Sequence, residues 1–230
     1  MSKFIVIEGL DGSGKSTQIQ LLRNYFADNE LSYEYLHFPR MDKRSPVFGE
    51  LIARFLRGEF GDISDVNPYI VALLYAGDRE HAARSIEKWV EEDKIVLLDR
   101  YVMSNIAFQC AKIENKEDSL KLENWILDLE YNYYKIPNPT HSIFLHVPFE
   151  FVQKQLDNQR GGDDREYLKG AVDIHEKDIS FQQKVENKYI DMAKRNNIEV
   201  LECQNEKNEM KSEQDIHQQI LHSLKRNKII

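Results

Sequence analysis

The chain has two cysteines in 230 residues, Cys110 and Cys203, far apart and in no metal-ligand spacing. That scarcity excludes a disulfide framework and points to reduced thiols in a cytoplasmic protein. No window approaches the roughly 18 apolar residues of a membrane span, so no membrane partner is expected. The first residues run straight into an apolar stretch, which predicts no signal or transit peptide. Basic residues are in the minority. The formal charge of −8 argues against a nucleic-acid-binding surface. Seven histidines show no ligand spacing. No Ser/His/Asp set and no paired carboxylates stand out, and there are no internal repeats. What remains is a 41% apolar composition, enough for a sizeable core, read as a single domain over residues 1–230.

Residues 9–17 read Gly-Leu-Asp-Gly-Ser-Gly-Lys-Ser-Thr. Gly9, Gly14, Lys15 and Ser16 fit the phosphate-binding loop pattern, with a strand-like run before it and a helical run after it. Glycines let the backbone wrap an anion, and the loop N–H groups and helix N-terminus present positive charge to it. Lys15 adds a full charge and the Ser16 hydroxyl is placed for Mg²⁺.

Apolar runs near residues 4–7, 33–38, 95–98, 142–147 and 199–201 read as strands. Helical patterns near 15–29, 46–58, 67–92, 102–112, 119–135, 149–159, 173–196 and 213–226 alternate with them. This predicts an α/β fold of three layers: a five-stranded parallel sheet with helices on both faces. The glycine-bearing, charged segment about 159–172, with Arg160 and Arg165, reads as a short lid or as an inert loop.

Asp99-Arg100 ends the third strand, where ligands collect in open α/β sheets. Asp99 is placed for a metal and Arg100 for a second anion, unless the two simply pair. Tyr75 and Arg79 share a helix face and offer a ring and a guanidinium to a base. Phe38, in Phe38-Pro-Arg40, is a stacking candidate or a core aromatic. Tyr131, Tyr133, Tyr134 and Trp125 read as core or subunit contact.

Together these segments resemble the thymidylate kinase (dTMP kinase) family of P-loop nucleoside monophosphate kinases. The resemblance runs over roughly residues 3–202. It is carried by the loop with its internal Asp11, by Phe38-Pro-Arg40, by Leu73–Arg79, by Asp99-Arg-Tyr-Val-Met-Ser-Asn105 and by Asp173–Asp178. It implies ATP-dependent phosphorylation of dTMP to dTDP by a homodimer, with Mg²⁺ as cofactor. ATP would lie on Gly9, Asp11, Gly12, Ser13, Gly14, Lys15, Ser16 and Thr17. Asp11 would meet the dTMP sugar or help organise metal. Phe38 and Tyr75 would sandwich thymine, with Arg79 at its carbonyl edge, Arg100 on the phosphate, and Arg40, Ser104, Asn105, Phe108 and Asp173 nearby. Ser16, Asp99 and Glu176 would serve the metal. Lys15, Arg100 and Asp11 are the catalytic candidates, with Arg160 or Arg165 because Gly12 follows Asp11 where other members carry Arg.

This chain departs from some members at Tyr75, Phe108 and His175, and Arg44 competes with Arg40. The acceptor phosphate is already anionic at neutral pH, so no general base is required. Two rivals stand beside this reading. A deoxynucleoside kinase would need a base, for which Glu8 is available. A guanine-reading switch would usually offer an Asn-Lys-x-Asp segment, and the chain is read as having none.

Overall fold

The computed structural model describes residues 3–157, 167–171, 173–196 and 198–230. Strands β1 (Phe4–Glu8), β2 (Tyr33–His37), β3 (Ile95–Asp99), β4 (His141–His146) and β5 (Ile198–Glu202) form one parallel sheet in the order β2-β3-β1-β4-β5. All of β1 and β3 is buried, as their unbroken apolar runs require for central parallel strands.

The first crossover carries α1 (Lys15–Asp28) from β1 outward to β2. The later ones run back the other way, through α2 (Phe48–Leu56) and α3 (Pro68–Glu91), then α4 (Val102–Cys110) and α5 (Lys116–Leu127), then α6 (Phe149–Asp157) and α7 (Ile179–Ala193). Right-handed crossovers put these on opposite faces of the sheet. The contacts agree: α1 packs on α8 (Glu213–Arg226), whereas α4 packs on α3, α5 and α7. One large apolar cluster surrounds the sheet. A smaller one, Ile52, Phe55, Leu56, Val71 and Ile174, sits under α2.

Two elements differ from the sequence reading. The expected helix 173–196 starts only at Ile179, because Asp173 and Asp178 use their carboxylates locally. Asp173 accepts from the His175 N–H, and Asp178 caps α7 by accepting from the Ser180 and Phe181 N–H groups. The expected helix 119–135 starts earlier, where Asn115 caps Lys116. It then widens into a π-helical turn, Asp128–Tyr133, that carries Glu130 into the interior. Of the aromatic stripe, Trp125, Tyr131 and Tyr134 pack against the core while Tyr133 is exposed.

Candidate active site

β1 delivers the glycine loop to the carboxyl end of the sheet. Gly14 stands at φ +80°, a conformation in which a side chain is strained, and it is the N-cap of α1. A Cβ on Gly9 would meet the Ser13 hydroxyl at 2.6 Å, so the loop closes only around glycine there. Gly9, Gly12, Ser13 and Gly14 build the loop itself, and Thr17 lies in the first turn of α1. Lys15 and Ser16 reach the wall of a cavity of about 750 Å³. The Lys15 amine folds back to donate to the Leu10 carbonyl at 2.7 Å and the Gly9 carbonyl at 3.2 Å.

Asp99 ends β3 beside the loop. Its Oδ2 meets His37 Nδ1 at 3.1 Å, and its Oδ1 is buried without a hydrogen-bond partner. Burial opposes its ionisation, but His37, Lys15 and Arg100 outweigh burial and hold the carboxyl below its ordinary range. Among the described residues no group of three His, Cys, Asp or Glu side chains could hold a metal alone. The orphaned Asp99 oxygen, the Ser16 hydroxyl and Glu176, all on the cavity wall, nevertheless fit Mg²⁺. That ion takes one or two protein oxygens and draws the rest of its shell from phosphates and water.

Arg100 follows in the left-handed region, at φ 65°. Its guanidinium donates to Asp11 Oδ1 at 2.7 Å and Ser104 Oγ at 3.1 Å, and lies 5.1 Å over the Phe108 ring. Gln182 on α7 donates to the other Asp11 oxygen at 3.1 Å and to the His175 carbonyl at 2.9 Å. Burial works against the Asp11 charge, but Arg100 and Lys15 override it and keep the carboxylate well below the usual range. Asp11 thus orients Arg100 toward the cavity.

Deeper in, the wall is formed by Phe38, Tyr75, Arg79, Ser104, Asn105, Phe108 and Asp173. Arg79 is anchored from behind: its Nε and Nη2 donate to the two oxygens of buried Glu130, the latter at 2.6 Å. Asn105 Nδ2 donates to the same carboxylate and to the Ala72 carbonyl, both at 3.0 Å. Asp173 accepts from the Tyr167 hydroxyl at 3.1 Å. Burial, with Asp11 and Glu176 nearby, pushes its carboxyl up to about 7.

Several expectations need correction. Arg40 is absent from the cavity wall. It is buried against Asp78, with its backbone N–H, Nε and Nη2 all donating to that residue. It braces the Phe38 loop from behind. Arg44 pairs with Asp42 at the surface, so it does not take the role either. Glu8 is no base: it is fully buried and accepts from the Tyr101 and Ser104 N–H groups and the Ser104 and Tyr189 hydroxyls. Asn115-Lys-Glu-Asp118 does match the Asn-Lys-x-Asp pattern. It spends Asn115 on capping α5, however, and lies off the cavity wall. Arg160 and Arg165 lie outside the described residues. Sequence reasoning missed Glu130, Gln182, Tyr167, Gln109 and His37 as parts of the site; only His37, at a strand's carboxyl end, had a local signal.

A strand-end carboxylate and an arginine oriented by Asp11 stand beside a glycine loop on the wall of one cavity. That layout belongs to the P-loop phosphotransferases. The family model for thymidylate kinase matches residues 7–216. A thymidylate kinase from Mycobacterium tuberculosis is 32% identical over 189 residues, covering 82% of this chain and 85% of that protein. A probable thymidylate kinase from Pyrococcus horikoshii is 32% identical over 220 residues, covering 95% and 93%. The solved structure of Candida albicans thymidylate kinase superposes with a TM-score of 0.73 at 24% identity, over 99% of this chain and 93% of that one. The chain belongs to the thymidylate kinase family.

Proposed function

We propose that the chain transfers the γ-phosphoryl group of ATP to the phosphate of dTMP, giving dTDP for dTTP synthesis. The observation that carries this reading is Arg100. It is held by Asp11 and Ser104 at the junction of the phosphate loop and the base end of the cavity. A cation fixed there suits an acceptor that already bears a phosphate.

The glycine loop and Lys15 hold the ATP phosphates, and Arg100 holds the acceptor phosphate, so the two reacting groups meet in line. A dTMP phosphate oxygen is the nucleophile. It is anionic already, so catalysis reduces to alignment and charge neutralisation. Mg²⁺, held by Ser16 and through Asp99 and Glu176, supplies further neutralisation of the phosphate charge. Phe38 and Tyr75 bracket the thymine ring. Arg79 donates to a ring carbonyl, and the Asn105 oxygen accepts from the ring N–H. Arg160 or Arg165 completes the charge around the transferring phosphoryl.

The working form is a homodimer in the cytoplasm. Ile70 and Leu73, exposed on one face of α3, are the apolar surface such a pairing would cover. No helix among the described residues is long and apolar enough to cross a membrane.

The test is steady-state turnover of ATP with dTMP or thymidine as acceptor. The expected result is rapid turnover with dTMP and none above background with thymidine. The reverse preference would overturn the reading in favour of a deoxynucleoside kinase. For the lid, an Arg160→Ala/Arg165→Ala double variant that keeps turnover within about threefold would show that neither arginine is catalytic.

A further inference from the structure

The cavity continues onto the other face of the sheet. Side chains alternate along a strand, so Tyr35 and His37 of β2 point to the side opposite Leu36 and Phe38. That side faces α1. Tyr33, of the same set, packs its ring 5.5 Å from Phe26, and the Arg23 guanidinium lies 5.0 Å over the Tyr35 ring. From α1 the wall takes Ser16, Ile19, Gln20 and Arg23, spaced i, i+3, i+4 and i+7 along one helix face. This lobe therefore starts at Ser16 and Asp99 and runs about 10 Å along α1, away from the base end.

Arg23 is the anomaly in it. Five other described arginines are buried or half-buried, and each pairs with a carboxylate. Arg23 pairs with none. Its Nε is buried without a hydrogen-bond partner, and among the described residues nothing accepts from its Nη groups. An unpaired, covered donor is costly, and an acceptor brought in by a ligand removes the cost. The Tyr35 ring covers one face of the guanidinium. The edge is the part that grips a phosphate bidentately.

The carboxylates on this side are already engaged: Asp42 pairs with Arg44, and Asp99 with His37. His37 spends Nδ1 on Asp99, and its other ring nitrogen makes no hydrogen bond among the described residues. Arg23 sits over Tyr35, and His37 is two residues further along β2, about 7 Å away along the strand. A lone phosphate meets one of these donors. Two linked phosphates reach both.

We propose that this lobe is an anion site, separate from the nucleotide phosphates, that takes a diphosphate group on Arg23 and His37. Inorganic pyrophosphate and the diphosphate of a nucleotide share that chemistry.

The experiment fills both nucleotide sites of the full chain with a non-hydrolysable ATP analogue and dTMP. It then titrates phosphate, pyrophosphate and CDP by calorimetry. Pyrophosphate should bind as one further equivalent, more tightly than phosphate. CDP should match pyrophosphate if a nucleotide's diphosphate is the ligand, and should not bind if the free anion is. Arg23→Gln should weaken pyrophosphate at least about tenfold, and Arg23→Lys, which keeps the charge and loses the fork, by less. Arg23→Gln should keep its circular dichroism spectrum and, without added anion, its dTMP turnover within about threefold. No further equivalent, equal binding by wild type and Arg23→Gln, or equal displacement by sodium chloride at matched ionic strength overturns the inference. Failure of the analogue or dTMP to bind counts against the proposed function alone. The comparison of the wild type with Arg23→Gln on the free chain then decides this inference either way.

Discussion

Removing the Glu130 carboxylate should cost the protein more stability than almost any other single change at the site. Glu130 is 0% exposed and Arg79 1% exposed, and the carboxylate accepts two hydrogen bonds from the guanidinium and one from Asn105. Glu130→Ala leaves a cation buried with no counter-charge. Breaking a buried pair from one side costs about 3–5 kcal/mol, a large share of the roughly 5–15 kcal/mol that holds a domain folded. At about 2–4 °C per kcal/mol for a chain of this size, Tm should fall by roughly 6–20 °C. The double variant Arg79→Met/Glu130→Leu removes both charges and should recover most of that loss, while dTMP turnover stays low because the base-facing donor is gone. Thermal and urea melts of Arg79→Met, Glu130→Leu and the double variant close the cycle, with Glu130→Ala measured beside them. A Glu130→Ala loss under about 1 kcal/mol, or a double variant no more stable than the single, would refute the claim that Glu130 neutralises and orients Arg79.

Three further outcomes follow from the geometry. Lys15→Ala should lower turnover by about a hundredfold or more with an unchanged circular dichroism spectrum, and near-normal turnover in a folded variant would contradict the loop assignment. Arg100→Ala should weaken dTMP by about 10- to 150-fold, equivalent to about 1.5–3 kcal/mol, and ATP far less; calorimetric titration of each nucleotide separates this from an equal, structural loss. Asp173, pushed up to about 7 by burial with Asp11 and Glu176, favours folding fully below its ordinary value near 4, and that contribution is lost as pH rises through 7. Asp173→Asn should therefore gain on the wild type from pH 4 to pH 8, by at most roughly 4 kcal/mol, and a stability difference that does not change with pH in parallel melts would show that Asp173 is not penalised.

The parts of the site legible in the sequence are those whose chemistry is local. The glycine loop needs no distant contact to be recognised, since Gly9, Gly14, Lys15 and Ser16 carry the turn and the charge within eight residues. Asp99 ends β3 and Arg100 follows it, as an apolar run closing in charge predicts for a strand's carboxyl end. What stayed hidden depends on residues far apart in the chain. Arg40 and Arg79 look alike as basic residues near aromatic ones. Only the fold decides that Asp78 takes Arg40 out of the cavity, while Glu130, carried inward by a π-helical turn, holds Arg79 on its wall. Glu8 offered a carboxylate at a strand end, and long-range contacts to Tyr101, Ser104 and Tyr189 removed it from chemistry. The false helix start at 173 came from charged residues compatible with a helix, whose short carboxylates instead closed a turn. Gln109 gave no signal because an amide four residues past Asn105 means nothing until Asn105 is known to face a cavity.

An acceptor phosphate, rather than a sugar hydroxyl, separates a nucleoside monophosphate kinase from a nucleoside kinase. The most direct measurement incubates the protein with ATP labelled in its γ-phosphate, Mg²⁺ and dTMP, and separates the products. Label should appear in dTDP, on its terminal phosphate, with none transferred to thymidine in a parallel reaction. Label transferred to thymidine, or released only as inorganic phosphate while dTMP stays unchanged, would contradict the dTMP kinase reading.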